Sequence, residues 1–119
     1  MRFLSIVKAS ENQGPAPQAQ QDAMAKLTAD SLKNGSLVQS GGLGASSSGV
    51  RVRSAGGKLT VIDGPFSEAK EVVGGYAVLE FKSRQEAIDA AVAFMRLHQQ
   101  HWPAWEGECE VRQLTFLAP

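Results

Sequence analysis

Apolar and polar positions along this chain switch between a period of two and a period near 3.6, and the switches mark out its elements. Residues 2 to 8, RFLSIVK, are rich in β-formers and predict a strand. ENQGPAPQAQ breaks that pattern. From about Pro17, QAQQDAMAKLTADSLKNG spaces Ala23, Leu27 and Leu32 for one helical face, with Met24 beside it and Asn34-Gly35 as the stop. SLVQSGGL reads as a second strand running into GGLGASSSG, a flexible loop. VRVRS and KLTVID alternate on either side of AGG, so they predict a β-hairpin turned by Gly56 and Gly57. YAVLEFK is the next strand, and SRQEAIDAAVAFMRLHQQ carries the strongest helical pattern. Ser83 and Glu86 form a capping box there, and Ala87, Ile88, Ala91, Val92 and Met95, with Phe94 at its edge, form the buried stripe. HWPAWEGE is an irregular connection, and ECEVRQLTFL a final strand.

With the hairpin treated as an insertion, β-α-β-β-α-β remains. That order predicts an α+β, ferredoxin-like fold of one domain over residues 1–119: a four-stranded antiparallel sheet with both helices on one face. RFLSIVK and GYAVLEF carry apolar residues at both parities, whereas a strand with one wet face alternates with polar residues. Something must therefore cover the second face. A second copy of the chain is the simplest supplier, so a homodimer through the open sheet face is expected, with ligands between helices and sheet or between the two sheets.

Composition narrows the function classes. Basic and acidic residues balance at 12 each, which argues against a field for nucleic acid or an anionic membrane. No stretch approaches the roughly 18 apolar residues of a membrane span, and the start MRFLSIVKAS is too short for a signal-peptide core. Cys109 is the single cysteine, so no intrachain disulfide forms, and a cytoplasmic protein is the expectation.

Candidate chemistry concentrates in DGPFSEAKE, residues 63 to 71. Much of it can be read as a corner. Asp63 can form an Asx-type turn, Gly64 can adopt a backbone conformation closed to other residues, Pro65 presets φ, Ser67 can cap a short turn, and Phe66 can anchor by burying its ring. In the functional reading, Asp63 and Glu71 are a carboxylate pair lining a cleft, where burial raises one pKa towards the range useful for proton transfer. Lys70 then receives an anionic substrate, and Phe66, Tyr76 and His98 complete the candidate binding residues.

The residues VIDGPFSEAKE followed by GGYAVLEF resemble the YCII-related proteins, in their DGPF-domain branch, and the order of elements over residues 1 to 117 is similar too. The resemblance implies a ferredoxin-like domain assembled as a dimeric α+β barrel. It implies a small-molecule protein, a lyase or isomerase acting by proton transfer on a cyclic or aromatic carboxylate, since relatives include a dehydrochlorinase and lactone isomerases. The alternative it implies is a regulatory protein serving an extracytoplasmic-function sigma factor. Related proteins place a histidine in the first helix and an aspartate after the second. Here QQDAMAKL has no histidine, and HQQHWPAW replaces the aspartate-bearing turn, so that pair is not carried over.

Other candidates are weaker. His98 and His101, three apart, lack a third metal ligand and read as partly exposed histidines at a helix end. Trp102 and Trp105 read as cover for that end. GGLG lacks the strand-then-helix setting of a dinucleotide site, so no cofactor is expected, and Ser5, Ser40 and Thr115 show no spacing of a nucleophile with its base.

Overall fold

The β-branched and aromatic residues of RFLSIVK form β1 (Arg2–Ala9), an inner strand of the main sheet. The computed structural model describes residues 1–115. Its further elements are α1 (Gln18–Lys33), β2 (Leu37–Gly42), β3 (Val50–Ala55), β4 (Lys58–Asp63), β5 (Val72–Glu80), α2 (Arg84–His101) and β6 (Gly107–Gln113). The main sheet runs β2-β5-β1-β6 with every neighbouring pair antiparallel, and β3-β4 form a separate two-stranded sheet. This is the ferredoxin-like α+β arrangement with an inserted hairpin. The end of the last expected strand, Phe116 and Leu117, lies outside the described residues.

Local signals set the element ends. Gly35, at φ +83°, follows the C-cap Asn34 of α1. The Ser83 hydroxyl accepts the Glu86 N–H at 3.2 Å, while the Glu86 carboxylate accepts the N–H of Lys82 at 2.9 Å, one residue earlier than a standard capping box would have it. Gly56 and Gly57, at φ +57° and +76°, turn the hairpin as expected.

The buried faces of the helices differ from the expected stripes. In α1, Leu32 is exposed and the buried residue is Gln20. Five residues separate Leu27 from Leu32, which is about 140° around a helix, so Gln20, Met24, Leu27 and Ser31 share the inner face instead. In α2, Val92 is exposed, and Ala87, Ala91, Phe94 and His98 run along the inner face. His98 is buried, not partly exposed. Its ring stacks between Phe94 and Trp105 at centroid distances of 4.7 and 4.4 Å, and its Nδ1–H donates to the Phe94 carbonyl at 3.0 Å. Trp102 stacks on Trp105 at 6.2 Å and covers the end of α2.

Among the described residues Phe3, Leu37 and Ala87 are the buried apolar ones, and Phe3 meets Phe81 at 6.4 Å between ring centroids. The other sheet face carries Leu4 opposite Val78 and Ile6 opposite Tyr76. Beside them Lys8 binds Glu110 at 2.6 Å and Glu108 at 3.2 Å. The hydrogen bond to Glu110 holds Lys8 above its ordinary pKa, and the reciprocal contact holds Glu110 below its own. Both helices lie on the opposite face, and among the described residues no element covers this one.

The radius of gyration is 16.2 Å, against about 13.5 Å for a compact domain of this length. The excess belongs to the hairpin, which makes no extended contact with the helices or the main sheet. The assignment of faces predicts that Phe3→Ala lowers stability by about 3–5 kcal/mol, whereas Leu32→Ala stays within about 0.5 kcal/mol of the parent. Urea unfolding midpoints measure both.

Candidate functional site

Strand alternation sends Ser5, Val7, Ala77, Leu79 and Val111 towards the helices. Opposite them α2 presents Ala87, Ala90 and Ala91, each with only a methyl group to fill the space. A cavity of about 660 Å³ is left, lined also by Met24, Leu27, Phe81 and Phe94. Its polar groups are neutral: Thr28 and Ser31 from α1, and Asn34, Ser36 and Ser40 towards β2. Ser5 also lines it, with its hydroxyl 2.9 Å from the Cys109 thiol. No charged side chain borders the space among the described residues.

Of the sequence candidates, Tyr76 stands on β5 at the edge of this cavity, with strand alternation turning its side chain to the open sheet face beside Ile6. Its ring lies against Gly41, and its hydroxyl accepts a hydrogen bond from the Gln39 amide at 3.2 Å. His98 sits one helical turn beyond Phe94, inside the aromatic stack. Asp63, Glu71 and Lys70 are exposed and do not line the cavity. Phe66 is half-buried in the corner, under the Arg51 guanidinium at 3.9 Å, and Arg51 also pairs with Glu68.

That corner is built around Ser46, which the sequence places in an apparently featureless GGLGASSSG run. Ser46 opens a short 3-10 turn, Ser46–Ser48, and is buried. Its hydroxyl donates to the Glu11 carboxylate and accepts the Phe66 N–H at 3.1 Å, and its own N–H donates to Glu11 at 2.7 Å. The Gly49 N–H donates to the Ser46 carbonyl at 2.9 Å, and the Gly64 N–H to the Gly49 carbonyl at 2.9 Å. Gly64 does not have positive φ, contrary to the conformational role expected of it. Glycine is required because a Cβ there would overlap the Ser46 carbonyl oxygen. Ser67 caps no helix, and the Phe66 to Ala69 turn closes through the Ala69 N–H to the Phe66 carbonyl at 3.1 Å. Among the described residues Asp63 makes no side-chain hydrogen bond, so the Asx-type turn expected of it does not form.

Sequence reasoning missed Glu11 and Gln20. Glu11 is the carboxylate that holds Ser46, and nothing in its own segment announces a contact 35 residues away. Gln20 is buried on the inner face of α1, and among the described residues its Oε1 has no partner. Among the described residues no three His, Cys, Asp or Glu side chains gather as metal ligands would, and no helix is long and apolar enough to cross a membrane.

A family model, the YCII-related domain, matches residues 1–98, which takes in the corner and the cavity lining except Val111 of β6. No curated protein matches the chain.

The corner yields two expected outcomes. Gly64→Ala loses about 2 kcal/mol or more in chemical denaturation, since the Ser46 backbone cannot yield without breaking its own bonds. The Ser46 hydroxyl and amide hold Glu11 below its ordinary value of 4.5. A depressed folded-state value means that the contact's contribution is fully present above 4.5 and is lost as pH falls through the lower folded value. An acid titration followed by the Ser46 amide resonance should show this loss, and Glu11→Gln should abolish the titration step.

Proposed function

We propose, for a chain that belongs to the YCII-related domain family, that it binds a small cyclic or aromatic molecule in the cavity between helices and sheet and works as a homodimer. The observation that carries this reading is the cavity itself. Its roughly 660 Å³ falls within the size of small-molecule sites, and its lining combines an apolar majority with a few neutral hydrogen-bonding groups. The flat body of a ring fits between Phe94, Leu27 and the sheet. The hydroxyls of Thr28, Ser31 and Ser40 and the Asn34 amide then take the polar end.

For a carboxylate ligand this lining offers hydrogen bonds rather than an ion pair, since Lys70 stands on the corner and not in the cavity. The catalytic form of the proposal is a lyase or isomerase moving a proton with Asp63 or Glu71. Both are exposed and outside the cavity of their own chain. Support for the dimer comes from the uncovered sheet face, where Leu4, Ile6, Tyr76 and Val78 form an apolar centre beside the Lys8 ion pairs.

A thermal-shift screen of small aromatic and cyclic carboxylates, each paired with its neutral amide, tests this. A ligand at 100 times its Kd should stabilise the protein by about 2.7 kcal/mol. Ala91→Trp, which fills the cavity, should abolish that gain, while Glu71→Gln keeps the binding and changes only turnover. A ligand that stabilises the Ala91→Trp protein as much as the parent binds elsewhere and contradicts the assignment. Failure of every compound to shift the parent would count against the binding function.

A further inference from the structure

The β3–β4 hairpin has two faces of opposite character. Val52 lies opposite Val61, and the alternation of strands puts Val50 and Leu59 on that same face. All four are more than half exposed, from 55% at Val50 to 75% at Leu59. The other face carries Arg51, Arg53, Lys58, Thr60 and Ile62. A two-stranded hairpin with a bare apolar face is marginal in water, so this one needs cover that its own chain does not give. The shortest dimension of the molecule, 19 Å, has room for one helix layer on one sheet layer. The hairpin therefore extends beside the body and is not folded over the open sheet face.

We infer that the hairpin is an arm whose apolar face, Val50, Val52, Leu59 and Val61, docks on a second copy of this chain. The inference rests on the homodimer reading above and adds the part of the chain that completes it. Area supports this occupant. Four strands of about six residues present a face of about 19 by 20 Å, roughly 400 Å². A stable interface takes about 800 Å² from each partner. The sheet face alone falls well short; the arm adds about 200 Å² of apolar strand face from each copy and covers about as much of its partner, which brings each copy to roughly 800 Å². Two-fold pairing supplies one arm for every body, so both uncovered faces of the chain are satisfied in equal number. Arg51, Arg53 and Lys58 on the rear keep the docked arm wet and oppose further stacking of arms into an open-ended sheet. Asp63 lies on the apolar side at the base of the arm, opposite Val50, so docking carries this carboxylate towards the other copy.

Sedimentation velocity of the full chain over a range of concentrations tests the arm. Three proteins are compared: the parent, the front-face variant Val52→Asp with Val61→Asp, and the rear-face variant Arg53→Asp with Thr60→Asp. The two valines are solvent-exposed within one chain, so the front-face variant keeps the far-ultraviolet circular dichroism of its two helices. Its dimer Kd should rise by at least about 100-fold, with the rear-face variant dimerising as the parent does. A front-face variant that dimerises like the parent overturns the arm and leaves the dimer standing. A parent that sediments as a monomer at every concentration overturns the homodimer reading and the arm together.

Discussion

The Ser46 hydroxyl uses both of its hydrogen-bonding capacities on distant parts of the chain. It donates to Glu11, in the loop after β1, and accepts the N–H of Phe66, in the corner after β4. Three segments separated by 20 and 35 residues are tied at one buried atom. Gly64 lies so close to the Ser46 carbonyl that only hydrogen fits in place of a side chain. The direction in which the hairpin leaves the body follows from this junction, because the hairpin has no other extended contact to fix it. DGPF is therefore chiefly the receiving half of a lock whose other half is the serine run.

The lock explains which features were legible in the sequence and which were not. Strands, helices and the glycine turn announce themselves through periodicities within a few residues of each other. Thus RFLSIVK, the hairpin and the order β-α-β-β-α-β match the structure. The partnership of Glu11 with Ser46 has no such local signature, and a run of glycine and serine looks like a loop whether or not one hydroxyl is buried. The helix faces failed by a smaller margin. Leu32 satisfies an apolar count but lies about 140° from Leu27, and Gln20 occupies the inner face that an apolar pattern cannot nominate. Tyr76 stands on β5 with its side chain on the open face, and the cavity is lined from α2 by three alanines facing the sheet. A low side-chain volume leaves no motif.

Cavity and arm are consequences of one economy of packing. Few side chains are fully buried in the single chain: α2 turns alanines to the sheet, the opposite sheet face carries its apolar residues uncovered, and the hairpin shows four more. An under-filled interior between helices and sheet suits a ligand. Under-covered exteriors suit a second copy. Asp63 and Glu71 stand on the corner between these two regions, outside the cavity of their own chain. The Ser46 junction sets where they stand.

The junction is tested most directly by amide hydrogen exchange at Phe66 and Gly64 in the parent and in Ser46→Ala. If Ser46 is the tie, both amides exchange slowly in the parent, at rates near those of β5. In Ser46→Ala the Phe66 amide then exchanges at the rate of an open loop, while amides of the main sheet keep their protection. Fast exchange at Phe66 in the parent, or unchanged protection after removal of the hydroxyl, would contradict the account.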